Sequence, residues 1–199
     1  MRVPACGRDA IGKVPARIPA VARAAHPFAV LVFGLAVAVF IAALLLPAGR
    51  PMTAGERDVL AAVYGGTVDL APVRIARAPL PPALTGFVIG NHVIFRRGYY
   101  LDDFSADDYR MAQLVHEAAH VRANQRRGLY TSLLAVLEHL RYGDAVYRYD
   151  RVPAGGSFES YRYEQQARIA EEFYLRCAGR ADESTDAARP PGRCPAAGG

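Results

Sequence analysis

The chain has 199 residues, with 24 Lys and Arg against 19 Asp and Glu and a formal net charge of +5. In the first 26 residues five cations, Arg2, Arg8, Lys13, Arg17 and Arg23, face one acid, Asp9. The remainder is therefore close to neutral, and the basic balance does not argue for nucleic-acid binding. None of the three cysteines forms a Cys-x-x-Cys pair, which excludes a structural zinc ribbon.

Residues 1–26 read as a basic, proline-containing cytoplasmic tail. Residues 27–46 carry no charge; as a helix they would measure about 30 Å, the thickness of a bilayer core. With the cations ahead of them, the positive-inside rule predicts a signal anchor over 27–47, single-pass in the inner (cytoplasmic) membrane with the N-terminus inside. The rest of the chain would then be extracytoplasmic, on the periplasmic side. A cleaved signal peptide usually has a shorter apolar core, and no small-x-small cleavage site follows Leu46.

Residues 48–178 are long enough for one compact domain. A helix is expected over Thr53–Tyr64, ended by Gly65-Gly66, then a strand over Val68–Ile75 and a proline-rich loop over 78–84. Phe87–Phe95 holds two β-rich runs around Gly90-Asn91, a hairpin signal. Within it Val93–Phe95 is a candidate for pairing with an extended substrate backbone, the plainer reading being a core hairpin. A long helix follows from Asp107 to Arg127, with Ser105 as its expected N-cap and Gly128 as its stop. Leu133–Leu140 reads as a short packing helix carrying His139; this histidine and His92 read as structural or surface residues. In 160–177 Tyr163, Ala167, Ala170, Tyr174 and Cys177 recur at helical spacing, with Glu164, Arg168 and Glu171 on the adjoining stripe. Residues 179–199 have little to bury and read as a disordered tail. Cys177 and Cys194 stand either as a disulfide or as free thiols. The composition of elements predicts an α+β domain, mostly helical, with a short β-hairpin or sheet, preceded by one transmembrane helix.

The chemistry concentrates in the long helix, which contains His116-Glu117-Ala118-Ala119-His120. Histidines four apart lie on one face of a helix, one turn from each other, so both imidazoles can meet one metal ion. The adjacent Glu117 can take a proton from a water activated there. The bland competitor is a surface helix with two satisfied histidines. A catalytic zinc ion needs a third protein ligand. Ala123 and Arg126 stand where a histidine-extended motif would place its glycine and third histidine, so the third ligand must come from elsewhere. The later helix offers Glu164, with Glu171 as its rival.

The pattern His116-Glu117-x-x-His120 with Tyr163-Glu164-Gln165-Gln166-Ala167 resembles the glutamate-type zincins (gluzincins). It is similar in particular to a group of bacterial Vgr-related zincin-like proteins. Met52-Thr53-Ala54-Gly55-Glu56 and Asp102-Asp103-Phe104-Ser105 also resemble stretches of that group. The resemblance covers residues 51–177. It implies a zincin-like fold and a Zn2+ cofactor held by His116, His120 and Glu164, with Glu117 as general base. The implied function is zinc metallopeptidase action on a peptide or protein substrate, in a membrane-anchored chain. The competing function is a non-catalytic, zinc-stabilised binding module of the cell envelope or a secretion apparatus. The chain departs from some gluzincins at Arg168, which replaces an aspartate that supports a metal histidine. A guanidinium cannot accept from imidazole, which leaves Asp102, Asp103 or Glu171 for that role. Tyr142, Tyr147, Tyr149, Tyr161 and Tyr163 are candidate oxyanion donors, though tyrosines at such density read more simply as packing residues.

Overall fold

The computed structural model describes residues 49–82, 84–148, 157–180 and 189–196, and Gly34 alone of the preceding segment. The chain divides into two compact units, Met1–Ile41 and Ala42–Gly199. All elements below belong to the second. In order they are β1 (Arg50–Pro51), α1 (Ala54–Tyr64), β2 (Arg74–Ala78), β3 (Gly86–Ile89), β4 (His92–Arg96), α2 (Asp108–Arg127), α3 (Tyr130–Tyr142) and α4 (Tyr163–Cys177). Short 3-10 turns at Phe104–Ala106, Gly143–Tyr147 and Phe158–Ser160 join them. The result is an α+β domain, mostly helical with a small mixed sheet, as expected.

The expected transmembrane helix requires correction. Among the described residues no helix is long and apolar enough to cross a membrane. The longest of them, the 20-residue α2, carries Asp108, Arg110, Glu117, Arg122, Arg126 and Arg127, each costly in hydrocarbon. The segment 27–46 itself lies outside the described residues apart from Gly34. The signal anchor, the membrane partner and the single-pass inner-membrane topology with a periplasmic domain are accordingly not carried further.

Helix α1 begins at a capping box: the Thr53 hydroxyl accepts from Glu56 N at 3.2 Å and Glu56 Oε2 accepts from Thr53 N at 2.8 Å. Glu56 is fully buried, and its carboxylate also accepts from both terminal nitrogens of Arg50 (2.8 and 2.6 Å) and from Phe104 N (2.8 Å). The Thr53 hydroxyl meets Asp103 Oδ1 at 3.0 Å. The segments 52–56 and 102–105, distant in sequence, are thus one interlock built around a buried carboxylate. At its other end α1 stops at Gly65 in the left-handed region.

The sheet order is β1-β2-β4-β3, with β2 parallel to β4 and β3 antiparallel to β4. Two expectations shift here. The first strand after α1 forms at 74–78 rather than 68–75, because Asp69 to Val73 turn on themselves: Ala71 N donates to Asp69 Oδ1 and Val73 N to Leu70 O. Pro72 has no N–H to give a ladder. Second, β4, which contains Val93–Phe95, lies between β2 and β3, and all three residues are buried. An internal strand has no open edge for a substrate backbone; the edge beside β4 is β3.

Helix α2 takes Asp107 as its N-cap, its carboxylate accepting from Arg110 N at 2.9 Å. Ser105 is drawn instead into the preceding 3-10 turn, where it bonds Asp103 through N and Oγ. Met111, Leu114, Val115, Ile169, Ala170 and Phe173 join α2 and α4 to one core with α1 and the sheet. Residues 189–196, expected to be disordered, are tied down. Cys194 is bridged to Cys177, and Gly192 N and Arg193 N donate to Val63 O and Ala62 O at 3.0 and 2.8 Å. They satisfy carbonyls at the end of α1. A Cβ at Gly192 would overlap the Ala62 carbonyl, so the strap requires glycine there.

The Glu56 interlock leads to a stability prediction. Glu56→Ala removes the acceptor shared by Arg50, Thr53 N and the buried Phe104 N, and is expected to cost about 3–5 kcal/mol. A urea unfolding curve checks this.

Candidate metal centre

His116 and His120 project from α2 with ring centroids 5.4 Å apart. Their backbone frame is steadied from below: the buried Tyr64 hydroxyl donates to the Val115 carbonyl at 2.6 Å, one residue ahead of His116. Opposite them stands Glu164 in the first turn of α4, where the helix dipole favours a carboxylate. One carboxylate oxygen lies 3.6 Å from His116 Nε2 and the other 3.6 Å from His120 Nε2. Glu164 is held there by its two successors. Gln165 Oε1 accepts from Arg162 N at 3.0 Å and its amide donates to Arg148 O at 2.6 Å; the Gln166 amide donates to Tyr161 O at 2.7 Å. The polar pair after Glu164 therefore fixes the start of α4, a structural task that residue type alone did not reveal.

Donor atoms of His116, His120 and Glu164 all lie within 4.8 Å of one another. In a tetrahedral zinc site with ligand distances of about 2.0–2.2 Å, neighbouring donors are about 3.3–3.6 Å apart. Two imidazoles and a carboxylate are also the donor chemistry that suits zinc. The residues present fit a metal ion. Among the described residues no other such group of His, Cys, Asp and Glu occurs.

Glu171 lies two turns after Glu164 on α4, and its Oε2 stands 3.1 Å from His116 Nδ1. It therefore addresses the ring nitrogen facing away from Glu164, the position of a bracing carboxylate rather than of a third donor. Arg168 approaches Glu171 Oε1 at 3.2 Å. Arg168, at the position where some gluzincins carry a supporting aspartate, thus stands beside the carboxylate that faces His116. Asp103 is occupied by Thr53 and Ser105, and Asp102 is exposed.

Glu117 is buried. Burial raises its carboxyl above the ordinary carboxylate range, with the histidines pulling it down and Glu164 and Glu171 pushing it up. Burial also opposes charge on the histidine–carboxylate pairs, but there the partners prevail. Contacts with Glu164 and Glu171 and the charge of Glu117 raise His116 to about 10. His120 and His116 hold Glu164 well below the usual range, and His116 with Arg168 lowers Glu171. The Glu117 carboxylate reaches under strand β3, where a Cβ added at Gly86 would stand 3.1 Å from its Oε1. Nothing in the sequence pattern marked Gly86, since the contact joins elements that are not neighbours in the chain.

The other candidates fall elsewhere. His139 is exposed, and His92 sits in β4 opposite Arg74 and Ile89. Tyr163 accepts from Arg127 at 3.1 Å, and Tyr142 lies under the Arg162 guanidinium at 4.3 Å. Tyr161 is buried. Tyr149 and the side chain of Tyr147 are outside the described structure.

The solved effector domain of Pseudomonas aeruginosa VgrG2b is similar to this chain. The two share 25% sequence identity and a TM-score of 0.59, over 76% of this chain and 89% of that one. No family profile and no curated protein matches the sequence. The chain is a distant structural homologue of that effector domain and carries a His/His/Glu cluster able to hold a metal.

Replacing Glu171 by Ala leaves the three convergent donors in place and removes the brace on His116. Divalent-metal affinity is expected to fall by about 10–100-fold, read by competition with a chromophoric chelator. A loss as complete as that of His116→Ala would place Glu171 among the ligands instead.

Proposed function

We propose that the domain is a zinc-dependent hydrolase acting on peptide bonds. His116, His120 and Glu164 hold the metal and Glu117 serves as general base. The observation that carries this reading is the convergence of both Nε2 atoms on Glu164, with a buried carboxylate beside them. A structural metal site needs the three donors and has no use for the fourth group, which burial has poised toward accepting a proton. A zinc ion bound here would polarise a substrate carbonyl and acidify a water molecule.

The chain's own residues account for the remaining steps. Glu117 takes the proton of the attacking water and returns it to the leaving amine. Glu171, which faces Nδ1, would keep the His116 imidazole in the tautomer that turns the Nε2 lone pair toward a bound metal. An extended peptide would lie along β3, an edge strand of the described sheet, where main-chain pairing is available on the side away from β4. Because residue 86 has no side chain, this strand approaches the Glu117 carboxylate closely, which brings the base and the docked backbone together. The likeness to the VgrG2b effector domain supports an effector role for this domain.

Zinc titration and hydrolysis of a fluorogenic peptide library, both on the full chain, test the assignment. Glu117→Gln is expected to bind zinc as the wild type does and to lose about 10²–10⁴-fold in rate. Glu164→Ala is expected to lose more zinc affinity than Glu171→Ala. Equal hydrolysis by wild type and Glu117→Gln would remove the base from the mechanism, and undiminished zinc binding by Glu164→Ala would remove the ligand.

A further inference from the structure

The two histidines are not equally supported. His116 has Glu171 on its Nδ1. His120 turns Nε2 toward Glu164, so its Nδ1 faces the other way. Among the described residues no hydrogen bond is made there. An imidazole that offers Nε2 to a metal carries its proton on Nδ1, and that proton calls for an acceptor.

An acceptor with the opposite need stands on α3. This helix bridges the end of α2 and the start of α4. At its N-terminus the hydroxyls of Thr131 and Ser132 donate to Asn124 Oδ1 of α2. At its C-terminus Tyr142 packs under Arg162, which precedes α4. Thr131, Ala135, Glu138 and Tyr142 fall on one stripe at helical spacing, and the first two of its side chains are buried. The stripe that touches α2 and α4 at its ends therefore carries Glu138 between them. Its Oε2 is buried and has no hydrogen-bond partner. Burial raises this carboxyl, and the charges that reach it are Arg162, Glu164 and His120, two of them members of the metal centre. Among the described residues no ion pair joins Glu138 to Arg162. A buried carboxylate oxygen without a donor is an exception to the rule that buried polar groups are matched, and it lies close enough to His120 for the two charges to interact.

We propose that Glu138 is a positioning residue for His120, its carboxylate accepting the Nδ1 proton when the centre holds zinc. The inference rests on the metal-site reading above and deepens it. Each metal histidine is then braced by a carboxylate from a different helix, Glu171 of α4 for His116 and Glu138 of α3 for His120. Helix α3 becomes part of the site although it supplies no ligand. Fixing the ring's orientation and raising its basicity both favour metal binding.

The test uses the full chain with zinc alone as the probe. Affinity is measured by competition titration, and the imidazole N–H groups of the zinc-loaded protein are followed by nitrogen-15 NMR. Glu138→Ala is expected to weaken zinc binding by about 10–100-fold and to lose the slowly exchanging Nδ1–H signal of His120 while that of His116 persists. Glu138→Gln, whose amide oxygen still accepts, is expected to restore both. Glu138→Leu keeps the side-chain bulk without an acceptor and is expected to behave as Glu138→Ala, so a folding defect in the alanine variant does not shelter the idea. Wild-type affinity and an intact His120 signal in folded Glu138→Leu would overturn the assignment of Glu138 alone. A wild-type chain that binds no zinc would overturn the metal site itself.

Discussion

The centre depends on how closely α4 can lie against the histidine face of α2. Two histidines one turn apart require only a helix, but the third donor requires a second helix at short range and in the right rotation. Helix axes usually pack about 8–10 Å apart, the distance being set by the side chains at the contact. The buried residues next to the site residues on each helix are small: Ala119 on α2 beside the histidines and Ala167 on α4 beside Glu164. Larger side chains at these positions would hold the helices apart and carry Glu164 away from both Nε2 atoms. Ala119, inside the His-Glu-Ala-Ala-His segment, is therefore more than a good helix former. It leaves the clearance that lets the glutamate of another helix reach the two histidines.

That closeness crowds carboxylates around the two imidazoles, and the structure resolves the crowding into two kinds. Glu164 and Glu171 each face a histidine, and their carboxyls are held below the ordinary range. Glu117 and Glu138 lack such a dominant partner, and burial lifts both. Desolvation acts on all four; what separates them is whether a cationic partner stands within contact distance. The first pair is suited to holding and orienting. The second is suited to receiving protons or hydrogen bonds once a dication has changed the local balance. One small volume can thus contain ligand, brace and base without the roles exchanging.

The parts of this arrangement that were legible in the sequence are those encoded by local spacing. The four-residue interval between His116 and His120 and the stripe joining Glu164 to Glu171 follow from helical periodicity alone. The α1 cap at Thr53 and Glu56 is likewise a local pattern. What could not be read is what the chain decides over long range. The order β1-β2-β4-β3 puts a parallel pair at the centre of the sheet, so β4 is internal although its hairpin signal looks the same for an edge. Ser105 and Asp107 are both good caps, and Asp103 settles the matter by capturing Ser105. The stretches at 52–56 and 102–105, which resemble parts of the Vgr-related group, left Asp102 and Asp103 as candidate supports for a metal histidine. Both stretches serve instead to bury Glu56 against Arg50 and Phe104. The disulfide between Cys177 and Cys194 was one of two open readings, and it is formed.

The exchange of β4 for β3 as the open edge alters how a substrate would meet the base. Because β4 is paired on both sides, a peptide could reach its backbone only by stripping β3 or β2 away. With β3 at the edge no core residue moves, because its pairing with β4 uses one side of the strand and leaves the other side's N–H and C=O groups. Its first residue, Gly86, stands over Glu117, and a methyl group there would press on the carboxylate, on Phe95 and on the Ile94 carbonyl together. Phe95 is itself stacked on Phe104 at 4.6 Å, the residue whose backbone N–H is bound by Glu56. Neither Phe95 nor the β4 backbone can retreat without disturbing that interlock. A side chain at position 86 would therefore be accommodated chiefly by displacing Glu117. The absence of one methyl group lets the edge strand lie against the Glu117 carboxylate, beside the His/His/Glu cluster.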